Sequence, residues 1–339
     1  MRLLPKNVVI ELTYTCNHKC KFCYCPWEQS SYPLEKELTI SEWENAIDIL
    51  LNNGVEQITF SGGEALMKDG FAELLKYVVT KQKCKSCSII SNGLLINDEW
   101  LMLFKKYGVQ LAISFPGYDT FKWHTGINGA DNILEKMKKA KEIGIKVTAS
   151  ITATRQNIHE LHNVISLTIK NGASNILLNR FMPGGRGITY LEELKLSTKQ
   201  VNEMLQITEA ALKSANIYGR MGTTIPLCSI YHPTQYEHLK IGYRCAAAKR
   251  FFAVDPSGRI RVCNHSPRIV GYVFNPTLIT DREYWNLYLE SNYHPTECQG
   301  CMAKYICDCG CREVSAILSG SPRNRDQSLT LDKREFFLK

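Results

Sequence analysis

Three cysteines fall within eight residues near the start of the chain, in Cys16-Asn17-His18-Lys19-Cys20-Lys21-Phe22-Cys23, shortly after the apolar run Val8-Val9-Ile10-Glu11-Leu12. No other feature constrains the fold as much, because three thiols this close act together only where a strand delivers their loop to a fixed place. The chain holds 14 cysteines in 339 residues. It opens without the basic-then-apolar pattern of a signal peptide, and its longest apolar runs, such as 101–104, are far too short to span a membrane. The expected location is therefore the cytoplasm, with no membrane partner. In a reducing compartment grouped cysteines point to metal or redox chemistry rather than to disulfides.

Ten of the cysteines cluster: Cys16, Cys20 and Cys23 at the start, then Cys245, Cys263, Cys298, Cys301, Cys307, Cys309 and Cys311 in the last third. A hydrophobic content of 44% with 22% charged residues is that of a globular protein with a full core, long enough for two domains. The net charge of +8 is dispersed along the chain. Its main concentrations, 136–141 and 249–268, read as a solvated helix face and an interrupted strand region, so no nucleic-acid partner is expected.

From residue 8 to about 180, short apolar or β-branched runs alternate with segments of helical period. The strands fall at 8–12, 57–60, 87–90, 110–114, 146–152 and 175–179. Helices fall at 40–53, 69–80, 98–107, 130–143, 158–170 and 198–215, with Ser41 and Glu44 spaced as a capping box for the first. This alternation implies parallel strands, either doubly wound or as a barrel, and six units favour a partial barrel. Ligands gather beyond the carboxyl ends of such strands. The loop after the first strand carries the three cysteines, the second carries Ser61-Gly62-Gly63-Glu64, and the third Ser91-Asn92-Gly93.

Past 180 the pattern breaks at Met182-Pro183-Gly184-Gly185-Arg186-Gly187, and beyond about 215 the chain turns rich in Pro, Gly and Cys. Two domains are expected, 1–215 and 216–339. In the second, 251–254 and 259–263 form a hairpin around Asp255-Pro256-Ser257-Gly258, followed by a short helix at 281–290.

Spacing alone leaves two metals open for the first group. Three thiolates wrap a four-iron cluster and leave one iron exposed, whereas three thiolates plus His18 suit zinc. The wider context matches a known family. The CxxxCxxC loop after a first strand, Phe22 just before the third cysteine, and Gly62-Gly63-Glu64 after the second strand together resemble the radical S-adenosylmethionine (SAM) superfamily over residues 8–215.

The resemblance implies an α/β fold, a partial (β/α)6 TIM-like barrel. A [4Fe–4S] cluster on Cys16, Cys20 and Cys23 would bind the amino and carboxylate groups of SAM, whose cleavage gives a 5′-deoxyadenosyl radical. It further implies cofactor contacts from Phe22, Gly62, Gly63, Glu64, Ser91, Asn92, Ser114 and Arg155, and an electron donor such as flavodoxin or ferredoxin. The glycines let main chain approach the ligand closely, Glu64 accepts from the SAM ammonium, and Arg155 pairs with its carboxylate, unless it is a solvated loop arginine. Relatives commonly carry Ser-Leu-Asp-Gly and an Arg-rich segment in the fourth loop, where this chain has Ser114-Phe115-Pro116-Gly117. His124 in that loop reads as a substrate contact or as an ordinary surface histidine. Cys25 beside the cluster reads as a hydrogen-atom donor or a buried structural thiol, and Cys84 and Cys87 as packing.

The last third resembles the SPASM extension at six of its seven cysteines. That resemblance implies a small iron–sulfur domain with one or two auxiliary [4Fe–4S] clusters. Cys245, Cys263 and Cys311 would serve the first, with Cys228 as its fourth ligand. Cys298, Cys301 and Cys307 would serve the second. The family's final cysteine is absent, so Cys309, Asp308 or an open iron completes that second site. The expected substrate is a ribosomally made peptide, cross-linked or epimerised, or else a small molecule such as an aminoglycoside or tetrapyrrole precursor. A first strand at residue 8 leaves no room ahead of it for a separate peptide-recognition domain. A non-enzymatic iron–sulfur electron carrier is the alternative of another class.

Overall fold

Period-two alternation builds the sheet in this computed structural model, which describes residues 4–329. β1 (Asn7–Glu11), β2 (Gln57–Ser61), β3 (Ser86–Ser91), β4 (Gln110–Ser114), β5 (Val147–Ala153) and β6 (Ala173–Arg180) pair in order, all parallel. One face, with Ile10, Phe60, Ile89, Ile113, Ala149 and Ile176, is fully buried in a single apolar core. Helices cover that face: α1 (Ile40–Asn52), α2 (Phe71–Val79), α3 (Asp98–Tyr107), a short α4 (Phe121–Thr125), α5 (Ala130–Glu142), α6 (Leu161–Lys170), a single-turn α7 (Leu191–Leu194) and α8 (Thr198–Ala215).

The opposite face is largely small and polar, with Val9, Ile90 and Leu177 as its larger apolar members. It carries Thr59, Ser61, Ser88, Ala112, Ser114, Ser150 and Asn179; Thr59 and Ser88 share a hydrogen bond of 2.8 Å, and Asn179 Nδ2 donates to Ser150 Oγ at 3.4 Å. Parallel sheets normally bury apolar residues on both faces, so a polar second face marks the inside of an open barrel.

The expected partial barrel is what the sheet forms. Its end strands do not close on each other. β1 pairs outward with β9 (Phe251–Val254), and β6 with β7 (Gly219–Met221), which pairs with β8 (Leu239–Lys240). β9 turns back into β10 (Arg259–Arg261), and β11 (Ile269–Tyr272) adds to its edge, giving one sheet of 11 strands. Strands on both sides of the 215/216 boundary therefore share one sheet. α9 (Arg282–Leu289) and α10 (Arg312–Ser319) follow, and residues 330–339 of the expected second domain lie outside the described residues.

The capping box sits two residues earlier than expected. Thr39 Oγ1 accepts from Glu42 N and Glu42 Oε2 accepts from Thr39 N at 2.8 Å, because the helix already starts at Ile40 and Ser41 lies inside its first turn.

Candidate active site and cysteine groups

Main-chain hydrogen bonds fix the cysteine loop to its neighbours. Gly63 N donates to Thr13 O at 2.8 Å and Glu64 N to Thr15 O at 2.9 Å, so the second loop lies along the chain leading into Cys16. A Cβ on Gly63 would stand 2.2 Å from Thr15 O, and one on Gly62 would stand 2.9 Å from Thr13 O. Gly62 also takes φ +131°, open to glycine alone in practice. These glycines are thus required by the approach of two chain segments.

Glu64 is 1% exposed and gathers three loops. Its Oε1 accepts from Ser91 Oγ at 2.9 Å and Leu66 N at 3.2 Å, and its Oε2 accepts from Asn92 N at 2.7 Å. Burial raises its pKa, with these three donors working against that rise. Ser91 is buried in this network and is committed to Glu64 rather than turned toward a ligand. Asn92 reaches the cysteine loop: its Nδ2 donates to Asn17 Oδ1 at 2.6 Å and lies 3.8 Å from Cys16 Sγ.

Two further elements grip the loop. α4 receives Lys19 N on Thr125 O and Lys21 N on His124 O, each at 2.9 Å. His124 is fully buried, not a surface residue: Nδ1 meets Thr120 O at 3.0 Å, Nε2 meets Thr154 Oγ1 at 2.9 Å, and its ring packs 5.9 Å from Phe22. Burial lowers its pKa to about 4. The loop after β6 closes from the other side, where Gly187 N donates to Cys23 O at 2.9 Å, Arg186 Nη1 to Cys20 O at 3.1 Å, and Arg186 pairs with Glu28.

Cys16, Cys20 and Cys23 lie within electrostatic reach of one another, and burial raises Cys16 and, more strongly, Cys20. Cys23 is lowered, chiefly by a bond from Cys25, which also faces Gly62 O at 3.7 Å and is buried. Ser114 ends β4 on the polar inner face. Arg155 points elsewhere: its Nε and Nη1 donate to Lys195 O and Glu192 O on the barrel rim, which corrects the expected carboxylate contact. Cys87 is buried on the core face of β3 and Cys84 packs beside that core, as packing residues.

In the last third the cysteines form two groups, and one assignment changes. Cys228 neighbours Cys307, Cys298 and Cys301; burial raises it to about 11, with those thiols adding to the rise. The preceding Leu227 N donates to Cys307 Sγ at 3.4 Å. Cys309 joins this group, its Sγ 3.1 Å from Cys298 Sγ. The other group holds Cys245, Cys263 and Cys311 alone, raised by burial to about 11, well above the ordinary thiol value, and to about 12. The expected place of Cys228 in that group is corrected, because the 227–229 turn packs against Cys307.

The donor chemistry at the barrel loop fits iron and sulfur. His18, which zinc would need, packs edge-on against Phe121, and no thiol is among the causes of its lowered pKa. Among the described residues, no three Cys, His, Asp or Glu side chains close on a single ion. A thiol-only triad beyond the first strand of an open parallel barrel is the site of a radical SAM protein.

Comparison with known proteins agrees. Residues 10–168 match the family model described as Radical SAM superfamily. Over those residues the chain carries a radical SAM domain, and its likeness to named enzymes supports an enzyme of radical SAM type over an electron carrier. It is 24% identical to the PqqA peptide cyclase of Bradyrhizobium diazoefficiens over 341 residues, 97% of this chain and 87% of that protein. It is 31% identical to the Fe-coproporphyrin III synthase of Methanosarcina barkeri over 206 residues, 60% of this chain and 48% of that protein. The fold matches Streptococcus suis SuiB bound to S-adenosylmethionine with TM-score 0.72, at 18% identity, covering 96% of this chain and 77% of that one. SAM and a [4Fe–4S] cluster are the cofactors of this superfamily, and auxiliary clusters are typical of its SPASM-type members, to which these peptide-modifying relatives belong. No helix among the described residues is long and apolar enough to cross a membrane.

Sequence reasoning missed Arg186, Glu160 and Arg261. Arg186 stood in a glycine-rich loop at a strand's carboxyl end, which is signal enough to have flagged it. Glu160 caps α4 through Tyr118 N, Asp119 N and Thr120 N, and Arg261 meets Glu11 on the inner face of β1; neither leaves a local trace.

Proposed function

We propose that the chain reductively cleaves SAM and uses the 5′-deoxyadenosyl radical to abstract hydrogen from a ribosomally synthesised peptide, forming a cross-link or an epimer. The observation that carries this reading is the thiol-only triad Cys16, Cys20 and Cys23 beyond β1, tied through Asn92 to the buried Glu64 and facing a polar barrel interior. A [4Fe–4S] cluster held by those thiols would supply the electron for reductive cleavage of SAM.

The chain's own residues hold and orient. Glu64 uses three of about four carboxylate acceptor positions to fix its loops and keeps one for the SAM ammonium. Ser114 offers a hydroxyl from the inner face. Phe22, Arg186 and His124 keep the loop closed against water. Cys25, buried behind Cys23, supports the loop. Two auxiliary clusters are assigned to Cys245, Cys263 and Cys311 and to Cys228, Cys298, Cys301 and Cys307, with Cys309 as a spare thiol of the second. Flavodoxin or ferredoxin is the class of electron donor. Residues 1–215 act as the radical domain and 216–339 as the auxiliary-cluster domain.

A peptide substrate is favoured because four peptide cyclases match 96–97% of this chain at 24–26% identity, while one heme synthase matches 93% of it at 24%. A tetrapyrrole substrate is the second reading, supported by a higher identity over a shorter stretch. The test is anaerobic reconstitution with iron and sulfide, reduction, and assay of SAM for 5′-deoxyadenosine and methionine. The parent protein is expected to form both, and the Cys16→Ala/Cys20→Ala/Cys23→Ala variant neither. Equal yields from the two would overturn the reading.

A further inference from the structure

With Cys228 placed beside Cys307, every cysteine of the chain has a position, and the Cys245, Cys263 and Cys311 group is left with three thiols and no fourth. Two fully buried carboxylates stand next to it, each with one oxygen lacking a hydrogen-bond partner: Asp308 through Oδ1 and Glu313 through Oε2.

They differ in what already satisfies them. Asp308 Oδ2 accepts from Cys245 N at 2.7 Å and Tyr293 OH at 3.0 Å, and its charge is met by the Lys249 ammonium at 3.2 Å. Asp308 reaches Cys245 but also Cys307 of the other group. Its task is to hold the main chain between the two.

Glu313 has no such counter-ion. Among the described residues no Lys, Arg or His lies within ion-pair distance of it, and Arg261, the cation in longer reach, is paired with Glu11. Two hydroxyls aim the carboxylate: Oε1 accepts from Tyr284 OH at 2.9 Å and from Tyr288 OH at 2.5 Å, while Oε2 has no hydrogen-bond partner among the described residues and the Ser266 hydroxyl favours the charged form. Both Cys263 and Cys245 feel its charge, and it follows Cys311 by two residues on the first turn of α10. A buried carboxylate without a cation is unfavourable in its ionised form unless a metal balances it, being otherwise held as the neutral acid, and a carboxylate is an acceptable iron donor.

We propose that Glu313 is the fourth donor of the auxiliary cluster held by Cys245, Cys263 and Cys311. The two tyrosines position it by hydrogen-bonding Oε1, as partners beyond the ligands of a metal site commonly do. This inference rests on the auxiliary-cluster reading above.

The experiment uses the full chain in the Cys16→Ala/Cys20→Ala/Cys23→Ala background, which removes the radical cluster's signals. Parent, Glu313→Gln and Glu313→Cys proteins are reconstituted anaerobically with iron-57 and sulfide, then compared by iron content and by Mössbauer and EPR spectra. The parent is expected to hold about eight irons per chain. Glu313→Gln is expected to lose about one of them and to show a three-iron signal after mild oxidation. Glu313→Cys should recover the iron with a changed spectrum, since a thiolate replaces a carboxylate. If Glu313→Gln keeps both iron content and spectra of the parent, the proposal falls. Should Glu313→Gln not fold, a folded Glu313→Cys protein with the parent's spectrum overturns it equally. A parent that binds no iron would sink the auxiliary-cluster reading and Glu313 with it, while SAM cleavage by the protein with its first three cysteines intact would stand.

Discussion

Main chain carries the cysteines in the barrel, whereas buried charge carries them in the last third. The loop of Cys16, Cys20 and Cys23 rests on peptide-to-peptide bonds from Gly63, Glu64 and Gly187 and to Thr125 and His124. In the C-terminal region Cys245 N is held by the Asp308 carboxylate and Cys311 N by that of Asp326. Arg180 and Arg312 sit fully buried among them, Arg312 reaching Cys309 O, Pro322 O and Asn324 O. Backbone strain follows the same division. Asn216, Ala248, Leu278, Ser291 and Cys309 are the non-glycine residues with left-handed φ among the described residues, and all lie beyond the barrel. Each such residue costs roughly 1–2 kcal/mol and persists only where its surroundings hold it. A loop held by its own backbone is formed before metal arrives, while a region held by desolvated charge and strained turns depends on every partner being present.

The sharpest way to break that contrast is Arg180→Met. Arg180 ends β6 and pairs with Asp326 at 2.5 Å and Ser328 Oγ at 2.6 Å, both on the turn that holds Cys311, so it bolts the two regions together. Removing it leaves a buried carboxylate unpaired and should cost about 3–5 kcal/mol in denaturant unfolding. The double variant Arg180→Met/Asp326→Leu should regain part of this, because the orphaned charge is gone while Cys311 N still lacks its acceptor. A loss below about 1 kcal/mol for the single variant would show that buried charge is not what holds the region.

On the barrel side the corresponding change is Gly63→Ala. Its methyl group would meet Thr15 O at 2.2 Å, and a backbone oxygen cannot swing aside, so about 1–3 kcal/mol should be lost as the two loops part. Gly108→Ala is the control: φ is +64° but nothing lies within 4 Å of the new methyl, so only the conformational cost of about 1 kcal/mol applies. Equal losses by thermal unfolding would mean that close approach is irrelevant at Gly63.

The same contrast decides what could be read from the sequence. Strands and helices of the barrel announce themselves by period, and the loops at their carboxyl ends carry Cys16, Glu64 and Asn92 as expected. What escaped was any contact between residues far apart in the chain. Nothing local to Gly63 says that Thr15 lies against it, and nothing local to Cys228 says that Cys307 is its neighbour and Cys311 is not. The short α4 was missed because its five residues give no period to see. His124 was misread for the same reason, since its burial comes from Thr154 and Phe22 rather than from its own segment.

His124 also gives the smallest effect and the finest test of a barrel loop supported from behind. Its pKa falls from 6.5 to about 4 because burial disfavours the imidazolium, so the unfolded chain takes up the proton first. Its contribution to stability is therefore complete above pH 6.5 and is lost as pH falls toward 4, amounting to at most ~3 kcal/mol over that window. His18 and His265 are lowered to about 4 in the same direction and stay in place. His124→Gln should accordingly flatten only part of the acid side of the stability curve, measured by urea unfolding between pH 6.5 and 4. Parallel curves for the two proteins would mean that His124 is already solvated, and that α4 does not seal the back of the cysteine loop.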